Sequence, residues 1–155
     1  MAQQTRSGHV YVISNVGSFG EDVYKIGMTR RLEPHDRVRE LGDASVPFEL
    51  DVHAMIPSAD APALERGLHQ RFLSRQLNKV NPRKEFFRVT LQELREEITR
   101  IGIDASWTIA AEAREYRESL EVERALADKT LDEAVWRQQQ LKEPRAGLMA
   151  ESVEA

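Results

Sequence analysis

The chain has 155 residues, 22 Lys+Arg against 26 Asp+Glu for a net charge of -4, 31% charged residues and no cysteine. That length suits one domain with an appendage, and the missing cysteine excludes disulfide scaffolds, thiolate nucleophiles and cysteine-ligated metal centres, so a reducing cytoplasm is the expected compartment. No apolar run approaches the roughly 18 to 20 residues that span a bilayer, and Met1–Gly8 is polar with no signal-peptide core.

Residues 8–14, GHVYVIS, form a β-rich run whose two faces, Val10/Val12 and Tyr11/Ile13, are both apolar, as in a central strand. After a loop holding Gly17 and Gly20, DVYKIGM predicts a second strand antiparallel to the first. Tyr24, Ile26 and Met28 share one of its faces, and Val23, Lys25 and Gly27 the other. Pro34 suits the first turn of a short helix running to about Leu41, with Val38 and Leu41 inward and Gly42 available as a stop. Residues 48–56 alternate strictly, which predicts a half-exposed strand with Phe48, Leu50, Val52, Ala54 and Ile56 inward and Glu49, Asp51, His53 and Met55 outward.

Ser58 or Asp60 can cap the next helix, Pro62 fits its first turn, and the helix is expected to reach about Ser74. The stretch RQLNKVNPRKEFFRV carries turn chemistry before a short apolar element around Phe86 to Val89. Thr90 with Glu93 three residues on is a capping box that opens a helix ending near Gly102. From Ala105 helix formers dominate, with a weak apolar stripe through Ile109, Ala113, Tyr116 and Leu120, so one long helix or two joined near Asp128 are expected, and then a disordered end from about Glu143. The expected organisation is a domain over 1–102, a helical appendage over 103–142 and a disordered tail over 143–155. The C-terminal stripe suits packing or self-association, including a homodimer.

Charge is uneven. Residues 1–101 carry 15 basic and 14 acidic side chains, and residues 102–155 carry 7 and 12, so the tail supplies the acidity. Between Arg66 and Arg88 seven Lys/Arg face a single acid, Glu85. That density matches either a solvated helix face with a charged loop or a polyanion contact.

Four positions carry candidate chemistry. Glu65 falls at the edge of the buried arc of its helix, where an ionised carboxylate needs a cation, a donor, a metal or a path to water. His69 lies one turn further along the same stripe. Lys25 points to the same side of its strand as Gly27, and Arg37 sits one turn before Leu41 at the inner edge of its helix. Each of these residues, like Tyr11 on the first strand, has an ordinary structural use when taken singly.

Taken together, HVYVI on strand one, YKIG on strand two, Arg37, Glu65 and the later LERGLHQRF and EFF runs resemble the GIY-YIG nuclease superfamily, in its phage-type DNA-binding branch, over about Gly8 to Leu94. The resemblance implies an α+β fold, with a small three-stranded antiparallel sheet flanked by helices and a C-terminal helical extension. It also implies one divalent metal, Mg²⁺ or Mn²⁺, and hydrolysis of DNA phosphodiester bonds. Tyr11 matches the first-motif tyrosine, Arg37 the helical arginine and Glu65 the metal-binding glutamate, with His69 assisting or orienting Glu65. His9 stands where the first motif has glycine, and Lys25 where the second has tyrosine, because Tyr24 is displaced by one and faces the other way. Asn78 and Asn81 both fit the late asparagine.

In that frame Tyr11 is the candidate base, with a pKa that must fall from about 10 and a Lys25 ammonium to help it fall. Arg37 would hold the non-bridging oxygens, and Arg66, Arg71, Arg75, Asn78, Lys79, Asn81, Arg83 and Lys84 would contact DNA phosphates without specifying sequence. A metal-dependent endonuclease is the leading expectation. A DNA-binding module of the same fold with little hydrolysis, and an interaction protein acting through its acidic helical tail, are the alternatives.

Overall fold

The computed structural model describes residues 6–44, 46–107 and 113–142. The fold is α+β, built on a four-stranded antiparallel sheet in the order β3-β1-β2-β4. Strands β1 (Gly8–Ser14) and β2 (Val23–Thr29) form the expected hairpin, in a register that sets Tyr11 opposite Gly27 and Ile13 opposite Lys25. A short helix α1 (Val16–Phe19) occupies the connection, capped by the Asn15 side chain. Helix α2 (Pro34–Ala44) starts at the expected proline and passes through Gly42 without stopping. That glycine lies beside Leu50 and has no positive φ, so it does not act as a terminator.

Strand β3 (Asp51–Ser58) starts later than the alternation predicts and does not keep it. Val12 pairs with Ala54 but Ile13 pairs with Val52, so His53 is an extra residue, a β-bulge. The bulge turns Val52 and Leu50 to the Tyr11 side while Ala54 and Ile56 stay on the opposite side. His53, expected to face water, is buried, with its ring edge-on to Tyr24 and Nε2 2.7 Å from the Ser14 hydroxyl.

Helix α3 (Ala61–Arg71) is capped by Asp60, whose carboxylate accepts from the Ala63 amide at 3.1 Å. It ends at Arg71 rather than Ser74, and a single 3-10 turn over Leu73–Arg75 follows. The apolar element after the basic loop is a strand, β4 (Phe86–Arg88), paired to Val23–Lys25 of β2, so the sheet has four strands and not three. Helix α4 (Leu91–Arg100) opens on the predicted Thr90/Glu93 capping box and closes at Gly102 with φ +88°.

The sheet has one heavily packed face. Val10, Val12, Ile26 and Ile56 bury against Leu68 and Phe72 from the α3 segment and Leu94 and Ile98 of α4, with Phe87 fully enclosed. The opposite face carries a smaller cluster, Tyr11, Ile13 and Val38, bordered by Leu41 and Leu50.

The chain separates into two units, Met1–Tyr116 and Arg117–Ala155. Of the two arrangements expected here, one long helix or two joined near Asp128, the chain has the second, with α5 (Arg114–Ala127) and α6 (Glu133–Lys142). The break falls at Asp128 to Thr130, where Asp128 accepts from the Thr130 amide and hydroxyl. In the first unit, Arg114 pairs with Glu49 at 3.0 Å, and Tyr116 packs edge-on against Phe48. Ile109 and the expected disordered tail, 143–155, lie outside the described residues. Among those described, no helix is long and apolar enough to cross a membrane.

Candidate active site at the edge of strand β2

Strand β4 covers only the first half of β2. Beyond it the outer edge of β2 has no strand partner among the described residues, and backbone groups left so must be satisfied by other means. The Ile26 amide donates to the Glu85 carbonyl at 3.1 Å, the Ile26 carbonyl accepts from His69 Nε2 at 2.6 Å, and the Met28 amide donates to the Glu65 carboxylate. Glu65 and His69 are four residues apart on α3, so they share one face of the helix and reach the strand edge side by side. Glu85 closes the group from the loop before β4, and one ligand atom from each of Glu65, His69 and Glu85 lies within 4.8 Å of the others.

Tyr11 belongs to the other face of β1, but its ring lies across Gly27 of β2. A Cβ at position 27 would overlap the Tyr11 hydroxyl and ring, so glycine is what lets the phenol pass over the strand towards its edge. There the hydroxyl hydrogen-bonds Arg37 of α2 and feels the charges of Glu85 and Glu65. Lys25 lies on the Gly27 side of β2, as the strand reading expects, and the register that sets Tyr11 opposite Gly27 makes this Tyr11's face. Its ammonium is 2.8 Å from Glu85 Oε1 and 5.5 Å from the centre of the Phe86 ring. Arg37 is also 3.8 Å from Glu40 one turn along.

The electrostatics depart from expectation. Burial, then the Glu85 and Glu65 charges, push the Tyr11 phenol up to about 12 against the pull of Arg37, where a fall had been expected. The Lys25 ammonium, expected to help it fall, is paired with Glu85 at 2.8 Å. Glu65 is pushed up to about 7, first by burial and then by Glu85, with Lys25, the Met28 amide and Arg66 pulling the other way. A half-buried Glu65 whose ionisation is made costly by burial and by the Glu85 charge, with an imidazole beside it, suits the binding of a cation.

Glu85 had not been singled out. Its signal in the sequence is that it is the one acid among the seven basic residues from Arg66 to Arg88.

The proposed phosphate contacts divide into two groups. Arg71 is bound to Glu97 at 3.2 Å, Arg75 to Glu93, and the Lys79 ammonium to the Ser74 and Gln76 carbonyls at 2.7 and 2.5 Å. Asn78 folds the loop by accepting from the Val80 and Asn81 amides, and Asn81 does so by accepting from the Arg83 amide. Arg66, Arg83 and Lys84 are exposed, and none makes a salt bridge among the described residues.

Comparison with protein families matches residues 8–102 to the T5orf172 domain. The chain belongs to the T5orf172 domain family. No curated protein and no solved structure gives a significant match. The T5orf172 match spans β1 to the end of α4, so it contains every residue of the β2-edge cluster and stops before α5.

Proposed function

We propose that this T5orf172 domain is a metal-dependent DNA endonuclease with a GIY-YIG-type site that hydrolyses phosphodiester bonds at the β2 edge. The observation that carries the reading is the convergence of Tyr11, Lys25, Arg37 and Glu65, drawn from two strands and two helices, on one partly buried locus. The donor set fits a divalent cation, with Glu65 as ligand and Glu85 and His69 in reach. A bound Mg²⁺ or Mn²⁺ would polarise the phosphoryl oxygens and stabilise the leaving 3' oxygen.

The chain's own residues divide the rest of the work. Arg37 presents a permanently charged planar donor to the non-bridging oxygens while holding the Tyr11 oxygen in place. Tyr11 takes the proton of the attacking water as phenolate, after its own proton has passed to solvent, a release that burial and the Glu85 and Glu65 charges oppose and Arg37 favours. Lys25 keeps positive charge on the strand face where the phosphate sits. Arg66, Arg83 and Lys84 hold flanking phosphates without reading sequence.

A nicking assay in Mg²⁺ or Mn²⁺ tests this directly. Glu65→Ala and Tyr11→Phe should each lose at least about a hundredfold in rate; equal rates in all three proteins remove the assignment. The raised Tyr11 pKa and the Lys25–Glu85 pair favour a second reading, a DNA-binding module with little hydrolysis. Salt-sensitive DNA binding with no metal-dependent cleavage would establish that reading instead.

A further inference from the structure

We infer that Glu65, His69 and Glu85 form a three-donor metal site, with the His69 imidazole as a direct ligand, that binds first-row transition ions in preference to Mg²⁺. The ion's role in cleavage rests on the endonuclease reading, but its binding does not. One carboxylate on a helix is a sparse site that leaves the metal mostly hydrated, the form in which Mg²⁺ is usually held. Here three ligand atoms of mixed chemistry lie within 4.8 Å of one another, and an imidazole nitrogen among carboxylates moves selectivity towards the transition series.

The setting of His69 supports ligation. Its Nε2 faces the Ile26 carbonyl at 2.6 Å, and a carbonyl only accepts, so Nε2 carries a proton in this contact and ligation would use Nδ1, or Nε2 after it gives up the bond to Ile26. A ring nitrogen donating to a backbone carbonyl is the usual support behind a metal-ligating histidine. The other two ligands are fixed on the same short stretch of β2: Glu65 takes the Met28 amide, and the Glu85 carbonyl takes the Ile26 amide. Three ligands from two segments, helix α3 and the loop before β4, are thus held against one strand edge, which sets their spacing before any ion arrives. The Lys25 ammonium, 2.8 Å from Glu85, stands in the group as an internal cation competing for the same carboxylate.

The test uses the full metal-free chain, titrated separately with MnCl₂ and MgCl₂ by calorimetry, with pulsed electron spin resonance of the Mn²⁺ complex. Mn²⁺ should bind at least about tenfold more tightly than Mg²⁺, and the Mn²⁺ signal should carry the modulation of one directly bound imidazole nitrogen. His69→Ala should erase both the preference and the nitrogen modulation, and Glu85→Gln should weaken both metals about tenfold. Lys25→Met should tighten both, a gain that misfolding cannot mimic. Equal Mn²⁺ and Mg²⁺ affinities in the wild type, or an Mn²⁺ signal without nitrogen modulation, would overturn the inference, and neither reading needs a variant. Glu65-dependent cleavage without nitrogen coordination would leave the endonuclease standing and end this proposal. Nitrogen-coordinated Mn²⁺ without cleavage would do the reverse.

Discussion

The packed face of the sheet and the outer edge of β2 solve opposite problems with neighbouring residues. On the face, Val10, Val12, Ile26 and Ile56 lose water to apolar partners from α3 and α4, and almost any close-packed apolar set would serve. At the edge, the groups in need of partners are backbone amides and carbonyls. The chain meets them with a carboxylate, an imidazole and a loop carbonyl where a longer β4 would have met them with another strand. The face accounts for stability, and the edge gathers ionisable groups at some cost to it. Substitutions in the two places should therefore differ in size, in sign and in what they leave intact.

The largest effect belongs to the face. Phe87→Ala removes a fully enclosed ring that closes the core against β2 and should cost about 3 to 5 kcal/mol in denaturant unfolding. A loss of under about 1 kcal/mol would mean that β4 is not part of the cooperative core. Gly27→Ala comes next and acts where face and edge meet. The new methyl displaces the Tyr11 ring, so stability should fall by about 1 to 3 kcal/mol. Nicking should fall as far as in Tyr11→Phe, and a variant that keeps full activity would show that the phenol does not need to cross the strand.

The face was legible in the sequence and the edge only in part, for a physical reason. Alternation separated Tyr11 and Ile13 from Val10 and Val12 on β1, and Lys25 and Gly27 from Tyr24, Ile26 and Met28 on β2, because side-chain direction within a strand follows from period two alone. The Thr90 capping box was equally readable, since its partners are three residues apart. The His53 bulge was not, because an extra residue in β3 is defined by its pairing with β1, and strict alternation hides it. Strand β4 is three residues long, too short for a periodic signal. At the site, Glu65 and His69 stood out by their place on a helix wheel, whereas Glu85 lies in an irregular loop and reaches the cluster through a backbone bond to Ile26. The upward Tyr11 shift comes first from burial and then from the Glu85 charge, and reading Lys25 as the phenol's main electrostatic neighbour leaves out both.

Glu65→Gln should have the opposite sign to the core variants. The folded protein holds the Glu65 carboxyl near 7, above the ordinary carboxylate value of the unfolded chain, so the unfolded chain ionises first. Stability from this group is whole below about pH 4.5, drains away as pH rises to about 7, and stays lost above that. Glutamine never ionises, so the metal-free variant should be more stable than wild type at pH 8 by about 1 kcal/mol, after discounting for solvent screening of a half-buried group, with no advantage near pH 4. Saturating Mn²⁺ should reverse the order at pH 8, because the wild type, with all three donors, gains more from ligation. Thermal melts at the two pH values with and without metal check all of this; a variant less stable than wild type at pH 8 without metal would mean that the Met28 amide bond outweighs the burial of the charge.

The smallest effect on the fold separates basic side chains turned outward from those consumed within it. Arg83→Ala with Lys84→Ala removes two exposed charges that make no salt bridge among the described residues, so unfolding should shift by no more than about 0.5 kcal/mol. DNA affinity should nevertheless fall, and the dependence of log affinity on log salt should flatten by about one for each charge lost, as expected for side chains that release counterions from phosphates. Arg75 and Lys79 lie in the same stretch but are engaged by Glu93 and by the Ser74 and Gln76 carbonyls. Their replacement by alanine should loosen the loop and leave the salt slope nearly as it was. Equal slopes for the two double variants would show that the internal bonds of Arg75 and Lys79 are surrendered to DNA, and the line between structural and contact residues would then move to include the whole loop.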